Sequence, residues 1–302
     1  MLYFTFVILV LASLFLGNAA LSISAGILFA YFLKPSKMFI SRRIGTIPLQ
    51  IGIVLIGCTI SLPYALGVSS VYLPWISFFV IVSFFAGLLL GKLLGIHHRV
   101  AFLLSSGAAI CGGTAMAAVA PIIKAKPQEL LIAMTIVFLL NAVAIILFPI
   151  VGTYLGMNNF EFGAWSALAI HDTGSVIGSA LIFSNESAQV AATLKLGRTI
   201  WLIPLILIAN WIFNKQAQAT KFPQFILFFI IAITANTVFG FSDQTINIFQ
   251  ISSQAFLLFG LFCIGSQFDS DELKSISAKP LILALMLWAI VIPSAYFLVK
   301  YF

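Results

Sequence analysis

Charged residues are scarce in this sequence, 8% of the 302 residues, where an average soluble domain carries about 25%. Together with 62% apolar residues and a mean hydropathy of +1.16, that scarcity excludes a water-soluble core, because no soluble fold of this size hides so much apolar surface. Lipid must be the solvent for most of the chain. Cysteine is scarce as well. Cys58, Cys111 and Cys263 are odd in number, lie inside apolar runs and form no Cys-x-x-Cys pair, so neither a disulfide framework nor a zinc site is indicated. No Gly-x-x-x-x-Gly-Lys-Ser/Thr loop occurs, which argues against an ATP-driven pump in this chain. No His-Glu-x-x-His or Gly-x-Ser-x-Gly stretch supports an intramembrane hydrolase, so the reading is of a protein that is not an enzyme and holds no metal or cofactor beyond a coupling H+ or Na+. The N-terminus lacks the positive region of a cleavable signal peptide, and residues 2–17 are read as a retained span.

The charge that is present sums to +7 and sits in short clusters between apolar runs, the pattern of cytoplasmic loops. It leaves no free basic face for nucleic acid. A spanning helix needs about 20 mostly apolar residues. By that rule the candidate spans are 2–17, 18–33, 46–62, 74–91, 99–123, 129–150, 162–183, 190–213, 222–240, 249–268 and 280–300. No linker interrupts the series. The expected fold is therefore all-α, a single polytopic membrane helix bundle over 1–302 with about eleven apolar segments.

Two segments carry glycines and polar residues where a lipid-facing helix would carry leucine. Residues 99–123 hold Ser105-Ser106-Gly107-Ala108-Ala109-Ile110-Cys111-Gly112-Gly113-Thr114, and 162–183 hold Ala169-Ile170-His171-Asp172-Thr173-Gly174-Ser175. Unwound backbone at membrane depth survives only inside protein or against a water-filled cavity. Both segments are expected to be broken or re-entrant. If both turn back, Lys34/Lys37/Arg42/Arg43, Lys92/Arg99, Lys124/Lys126, Lys215/Lys221 and Lys274/Lys279 fall on one side. The loops 63–73, 151–161, 184–189 and 241–248, which lack Lys and Arg, then fall on the other, as the positive-inside rule favours. The two broken segments echo each other, as do Ile56-Gly57-Cys58-Thr59-Ile60 and Ile264-Gly265-Ser266-Gln267-Phe268. Such echoes suggest inverted repeats with a site between the halves.

An ionisable residue at mid-membrane is a functional candidate by default. Asp172 is the only acid in the middle of an apolar segment, and His171-Asp172 is read as substrate-coordinating or coupling, with capping of the following half-helix, helped by Thr173 and Ser175, as the structural alternative. Lys195 and Arg198, three apart and so on one helical face, are read as a cationic wall for an anion at the end of the span where positive charge is otherwise absent. The alternatives are snorkelling to headgroups or pairing with Asp172 or Glu186. Cys111-Gly112-Gly113-Thr114 offers backbone amides to a ligand or coupling ion, against tight helix packing through small residues. Asn141, alone in a long apolar helix, is a candidate support through an interhelical hydrogen bond. Pro121, Pro149, Pro204 and Pro293 mark helix ends or kinks, and Asp269-Ser270-Asp271-Glu272-Leu273-Lys274 reads as a solvated loop, not a metal site.

At these motifs the chain resembles the YeiH-type family of bacterial inner-membrane proteins, whose name assigns them sulfate export. The resembling stretches are Gly52–Gly57, Ser106–Gly113, Ala120–Ala125, Ala169–Asp172, Lys195–Arg198 and Leu281–Leu283 after Lys279-Pro280, so the likeness runs from about residue 20 to the end. Asp172 stands where some members carry Glu, and Thr173-Gly174-Ser175 also departs from them. The resemblance implies a bundle related to the bile-acid, arsenite, citrate and cation/proton transporters, with two inverted repeats, discontinuous helices near the midplane and often a homodimer. It also implies sulfate or an organosulfonate as substrate. The expected function is secondary transport of a small anion, as an exporter coupled to H+ or Na+ in the bacterial inner membrane. The alternatives are a cation/proton antiporter that uses Asp172 and a non-transporting scaffold or receptor.

Overall fold

A backbone in hydrocarbon must satisfy its own N–H and C=O groups, and helices do so within one segment. The computed structural model describes residues 2–36, 38–44, 47–213, 224–267 and 278–301, and among these every regular element is helical, with no strand. In chain order they are α1 (Leu2–Leu16), α2 (Ala19–Leu33), α3 (Ile40–Ile44), α4 (Ile47–Gly57), α5 (Leu62–Leu93), α6 (His98–Ala109), α7 (Gly113–Val119), α8 (Pro127–Tyr154), α9 (Asn159–Ala169), α10 (Thr173–Phe183), α11 (Asn185–Thr199), α12 (Leu202–Phe213), α13 (Gln224–Phe239), α14 (Asp243–Gly265) and α15 (Ala278–Tyr301). Five described stretches, in α5, α8, α11–α12, α14 and α15, are long and apolar enough to cross a membrane, and several shorter apolar helices accompany them. The protein is a polytopic membrane helix bundle.

Contacts between distant residues sort the helix ends into two sets. At one end Arg42 donates to the Ser266 carbonyl (2.9 Å), His97 pairs with Glu129 (3.0 Å), and the His98 ring stacks 6.4 Å from Phe213. Lys34, Arg42, Arg43, Lys92, Arg99, Lys124, Lys126 and Lys279 gather there, so it is the basic end. Lys37, Lys215, Lys221, Lys274, Phe268 and the run 269–274 lie outside the described residues. At the far end the Leu62 N–H donates to Thr237 (2.7 Å), Asn159 donates to Glu186 (2.9 Å) and Lys300 pairs with Glu161 (2.9 Å). Side chains, not charge clusters, start the helices at that end: Asn18, Asn158, Ser184 and Ser242 each accept a first-turn backbone N–H.

The same contacts decide the two interrupted segments. His97 precedes α6 and Glu129 opens α8, yet they touch, so the chain from α6 through α7 leaves and returns at the basic end. Phe162, early in α9, stacks 4.1 Å from Phe183 at the end of α10, so that segment leaves and returns at the far end. Both are re-entrant hairpins, and they enter from opposite ends. The second echo obeys the same inversion, because Gly57 closes α4 at the far end and Gly265 closes α14 at the basic end.

Two sequence expectations are corrected, and the kink expected at Pro204 is found. Residues 63–73 are not a loop but the first turns of α5, which starts at Leu62 with Pro63 second; proline at the first helical positions forfeits only an N–H that has no intrahelical partner there. Residues 185–189 likewise belong to α11, whose start Ser184 caps. The span 190–213 bends between α11 and α12: Ile200, Trp201 and Ile203 donate three residues back. Pro204 supplies no N–H to the Ile200 carbonyl, so the ladder tightens there.

Packing divides the bundle into two bodies. α14 lies against α4 and α2, with α1 and α13 alongside; α6 to α11 pack on one another and on α5 and α15. α10 is the main bridge, touching α2 and α14.

Candidate functional site

α6 is 12 residues long and enters from the basic end; α9 is 11 and enters from the far end. At 1.5 Å per residue each reaches about 16–18 Å, close to the middle of a hydrocarbon core about 30 Å thick. Their C-termini therefore converge there, and the last carbonyls of a helix have no partner within it. In α6, Ser105 and Ser106 spend their hydroxyls on Ala101 and Phe102 one turn back, which leaves the end of the helix uncapped by its own side chains.

Arg198, fully buried, supplies the partners. Its Nε donates to the Ala109 carbonyl (2.7 Å) and Nη2 to Ala108 (2.6 Å), while Nη1 donates to Leu168 (2.7 Å) and Ala167 (3.2 Å). One guanidinium thus caps both half-helices. Each C-terminus carries about −0.5 of an elementary charge, so two of them sum to about −1 and one arginine balances them. Lys195, one turn earlier on α11 and also fully buried, donates to the Ile170 carbonyl (2.8 Å), just past α9. The sequence placed Lys195 and Arg198 at the far end of their span. The 15 residues of α11 carry them down to the level of the hairpin tips, and their complete burial leaves no room for snorkelling.

The tips differ in how they turn. In the first, Gly112 adopts φ +61° and ψ −123°, a conformation that glycine alone adopts without strain, and its N–H donates to Gly107 (2.9 Å). In the second, Ile170 and Asp172 are extended, and the Asp172 carboxylate accepts from the Ser175 N–H (3.1 Å) and hydroxyl (3.2 Å), capping α10. The tips touch. A Cβ on Gly112 would lie 3.1 Å from Asp172 Cα, and one on Gly174 would lie 3.1 Å from Asp172 Oδ2. Cys111 is buried within electrostatic reach of Lys195, Asp172 and Arg198. Gly113 and half-buried Thr114 open α7, and Gly113 faces Phe138 of α8; Thr173 and Ser175 are buried in the first turn of α10. The structure thus brings the two glycine- and acid-bearing stretches and the two cations to one place.

Most of the unpartnered buried polar atoms among the described residues belong to the second hairpin and to its neighbours α8 and α15. His171 Nδ1, both polar atoms of the Asn141 amide, the hydroxyls of Ser166 and Ser179 and the Trp288 indole N–H are buried without a hydrogen-bond partner. Each such group costs about 1–3 kcal/mol when left unsatisfied. The His171 ring lies 6.2 Å from Trp288, and Asn141 sits on α8 between Phe138, which faces Gly113, and Phe148, which packs on Trp165 and Trp288. The interhelical hydrogen bond expected of Asn141 is not made. Trp288, Ser166 and Ser179 went unnoticed in the sequence because each sits in an ordinary apolar or small-residue helix. The one available signal was a tryptophan at mid-span instead of at the headgroup level, where this residue usually collects.

Over residues 1–284 the chain matches the protein family described as Conserved hypothetical protein 698. A UPF0324 membrane protein of Bacteroides thetaiotaomicron is 35% identical over 269 residues, covering 88% of this chain and 81% of the relative. One from Vibrio vulnificus is 36% identical over 294 residues, 95% and 94% of the two chains, and one from Porphyromonas gingivalis is 39% identical over 221 residues, 70% and 67%. No solved structure matches. The relatives' names state a membrane location and no substrate, so the sulfate export implied by the sequence resemblance belongs with the proposal that follows.

Proposed function

The chain belongs to the UPF0324 family of bacterial membrane proteins, and on that premise we propose that it is a secondary transporter of a small anion, sulfate-like or a sulfonate, exporting it across the inner membrane with H+ or Na+ coupling. The observation that carries this reading is the contact of two re-entrant tips at mid-depth, Gly112 against Asp172, with Lys195 and Arg198 buried beside them. Arg198 is balanced by the two half-helix C-termini. Lys195 offsets Asp172, and the N-terminus of the 11-residue α10 adds about half a positive charge, so the remaining balance favours an anion. Lys195 has three N–H groups and gives one to Ile170, leaving donors for an oxyanion. His171 and Asn141 offer the unpartnered polar atoms that a bound, partly hydrated solute would satisfy. His171 and Asp172 set coupling. Transport follows from movement of the paired tips, with α8, α9 and α11, against α2, α4 and α14. By the positive-inside rule the basic end is cytoplasmic.

The test is a thermal-shift screen of the purified protein with sulfate, sulfite, thiosulfate, taurine, dicarboxylates and sodium, followed by flux in proteoliposomes. An oxyanion is expected to raise the melting temperature, and Lys195→Met to lose that rise while the protein still elutes as a folded species. One observation favours a second reading: every bonded Arg198 donor faces a carbonyl, so the guanidinium does not pair with the Asp172 carboxylate. A cation/proton antiporter would then be stabilised by sodium and not by sulfate, and Asp172→Asn would abolish exchange. If no ion stabilises the protein and no flux is seen, transport is wrong and a scaffold or receptor role stands.

A further inference from the structure

Towards the far end, one face of α10 meets α4 and α14, and along it run Gly174, Gly178 and Leu181, with Asn185 just beyond the helix. These positions recur every three or four residues and so share one helical side. The line starts at Asp172 and ends in a narrow cleft at the far end, between α4 and α14 on one wall and α10 and α11 on the other. The polar lining of the cleft is Thr59, Asn185, Gln189, Gln250, Ser253 and Gln254, without a charged side chain among the lining residues. Gln189 crosses from one body to the other and donates to Thr59 (3.1 Å), and Ser253 is tied to the Gly52 carbonyl (2.8 Å).

Between this cleft and Asp172 stands a hydrocarbon plug. Leu257 closes the floor of the cleft. One turn deeper on α14, Leu261 lies against Gly178, where a Cβ would come within 2.6 Å of its methyl group. Deeper again, Leu49 of α4 lies against Gly174, where a Cβ would come within 2.9 Å. All three leucines are at most 2% exposed. The two glycines let Leu49 and Leu261 sit flush on α10. Amides and hydroxyls can hydrogen-bond the oxygens of a small solute without fixing its charge, which suits a waiting position better than a trap.

We propose that the far-end cleft is a second binding site for a small oxyanion, and that Leu49, Leu257 and Leu261 are the gate that separates it from the tips. The inference rests on the transport reading above and deepens it. It is tested in sealed cells or vesicles by a membrane-impermeant maleimide, in a background carrying Cys58→Ala, Cys111→Ala and Cys263→Ala. Gln254→Cys is expected to label from the far end, and Leu261→Cys about tenfold more slowly, as a group reached only by local opening. Adding Leu257→Ala should bring Leu261→Cys close to the Gln254→Cys rate, and sulfate or thiosulfate should slow labelling of Gln254→Cys. Where Leu257→Ala does not fold, Leu257→Val leaves a smaller opening and should give the same ordering. Equal rates at the two positions before the gate is cut, an unchanged slow rate after it, or indifference of Gln254→Cys to both anions overturns the proposal. Labelling needs no turnover, so it fails separately from the transport reading, which fails by the absence of ion stabilisation and flux.

Discussion

The two hairpins solve one problem with different chemistry. Both end a helix in the middle of the hydrocarbon layer, and both hand their last carbonyls to Arg198. The first turns on glycine backbone at Gly112 and brings no charge of its own. The second turns on extended residues and brings a carboxylate that caps its own return helix. The first hairpin therefore offers a close-fitting surface and the second offers ionisable chemistry, and each is incomplete without the other.

The largest expected effect breaks both hairpins at once. Arg198→Ala strands four carbonyls and should cost about 3–5 kcal/mol, the range for opening a buried charged contact, measured by thermal or denaturant unfolding in detergent. Arg198→Lys should recover little of it, because one ammonium cannot reach four carbonyls in two directions. Next, Gly112→Ala separates contact from conformation. Gly156 has a similar φ of +64° with nothing within 4 Å, so Gly156→Ala should show only the conformational cost of about 1–2 kcal/mol. Gly112→Ala adds overlap with Asp172 and a ψ of −123° outside the left-handed helical well, and should lose about 1–3 kcal/mol more, with loss of transport. For the second tip, Asp172→Ala should cost about 1 kcal/mol and Asp172→Asn much less, since asparagine caps about as well. Both should abolish the dependence of flux on the coupling ion, and coupling that survives in Asp172→Asn would assign aspartate to capping alone. The smallest effect belongs to Lys300→Ala, which removes a half-exposed partner of Glu161 at the base of the second hairpin. It should leave the melting temperature where it was, because such surface pairs are screened by water and salt.

Much of this contrast was legible in the sequence, because glycines and an acid at mid-span are costly in lipid and so announce themselves. Gly112-Gly113 and His171-Asp172 marked both breaks to within a few residues, and the distribution of Lys and Arg favoured re-entry over crossing. The partners of Lys195 and Arg198 were not legible. They are backbone carbonyls, and a carbonyl acceptor leaves no trace in residue identity, so a cation that staples helix ends reads the same as one that lines a pore. Nor was the start of α5 visible, since Leu62-Pro63-Tyr64 reads as a turn until proline is placed at the head of a helix. The plug was hidden for the opposite reason: Leu49, Leu257 and Leu261 look like any lipid-facing leucines, and only their seats on Gly174, Gly52 and Gly178 respectively distinguish them.

The placement of Arg198 also limits how the molecule can yield. Neither tip can swing away alone without leaving unpaired oxygens in oil, so the two behave as one keel carried by α11. A solute would meet the same floor from either side of the membrane, and any difference in its affinity between the two faces would have to come from the walls that slide past that floor.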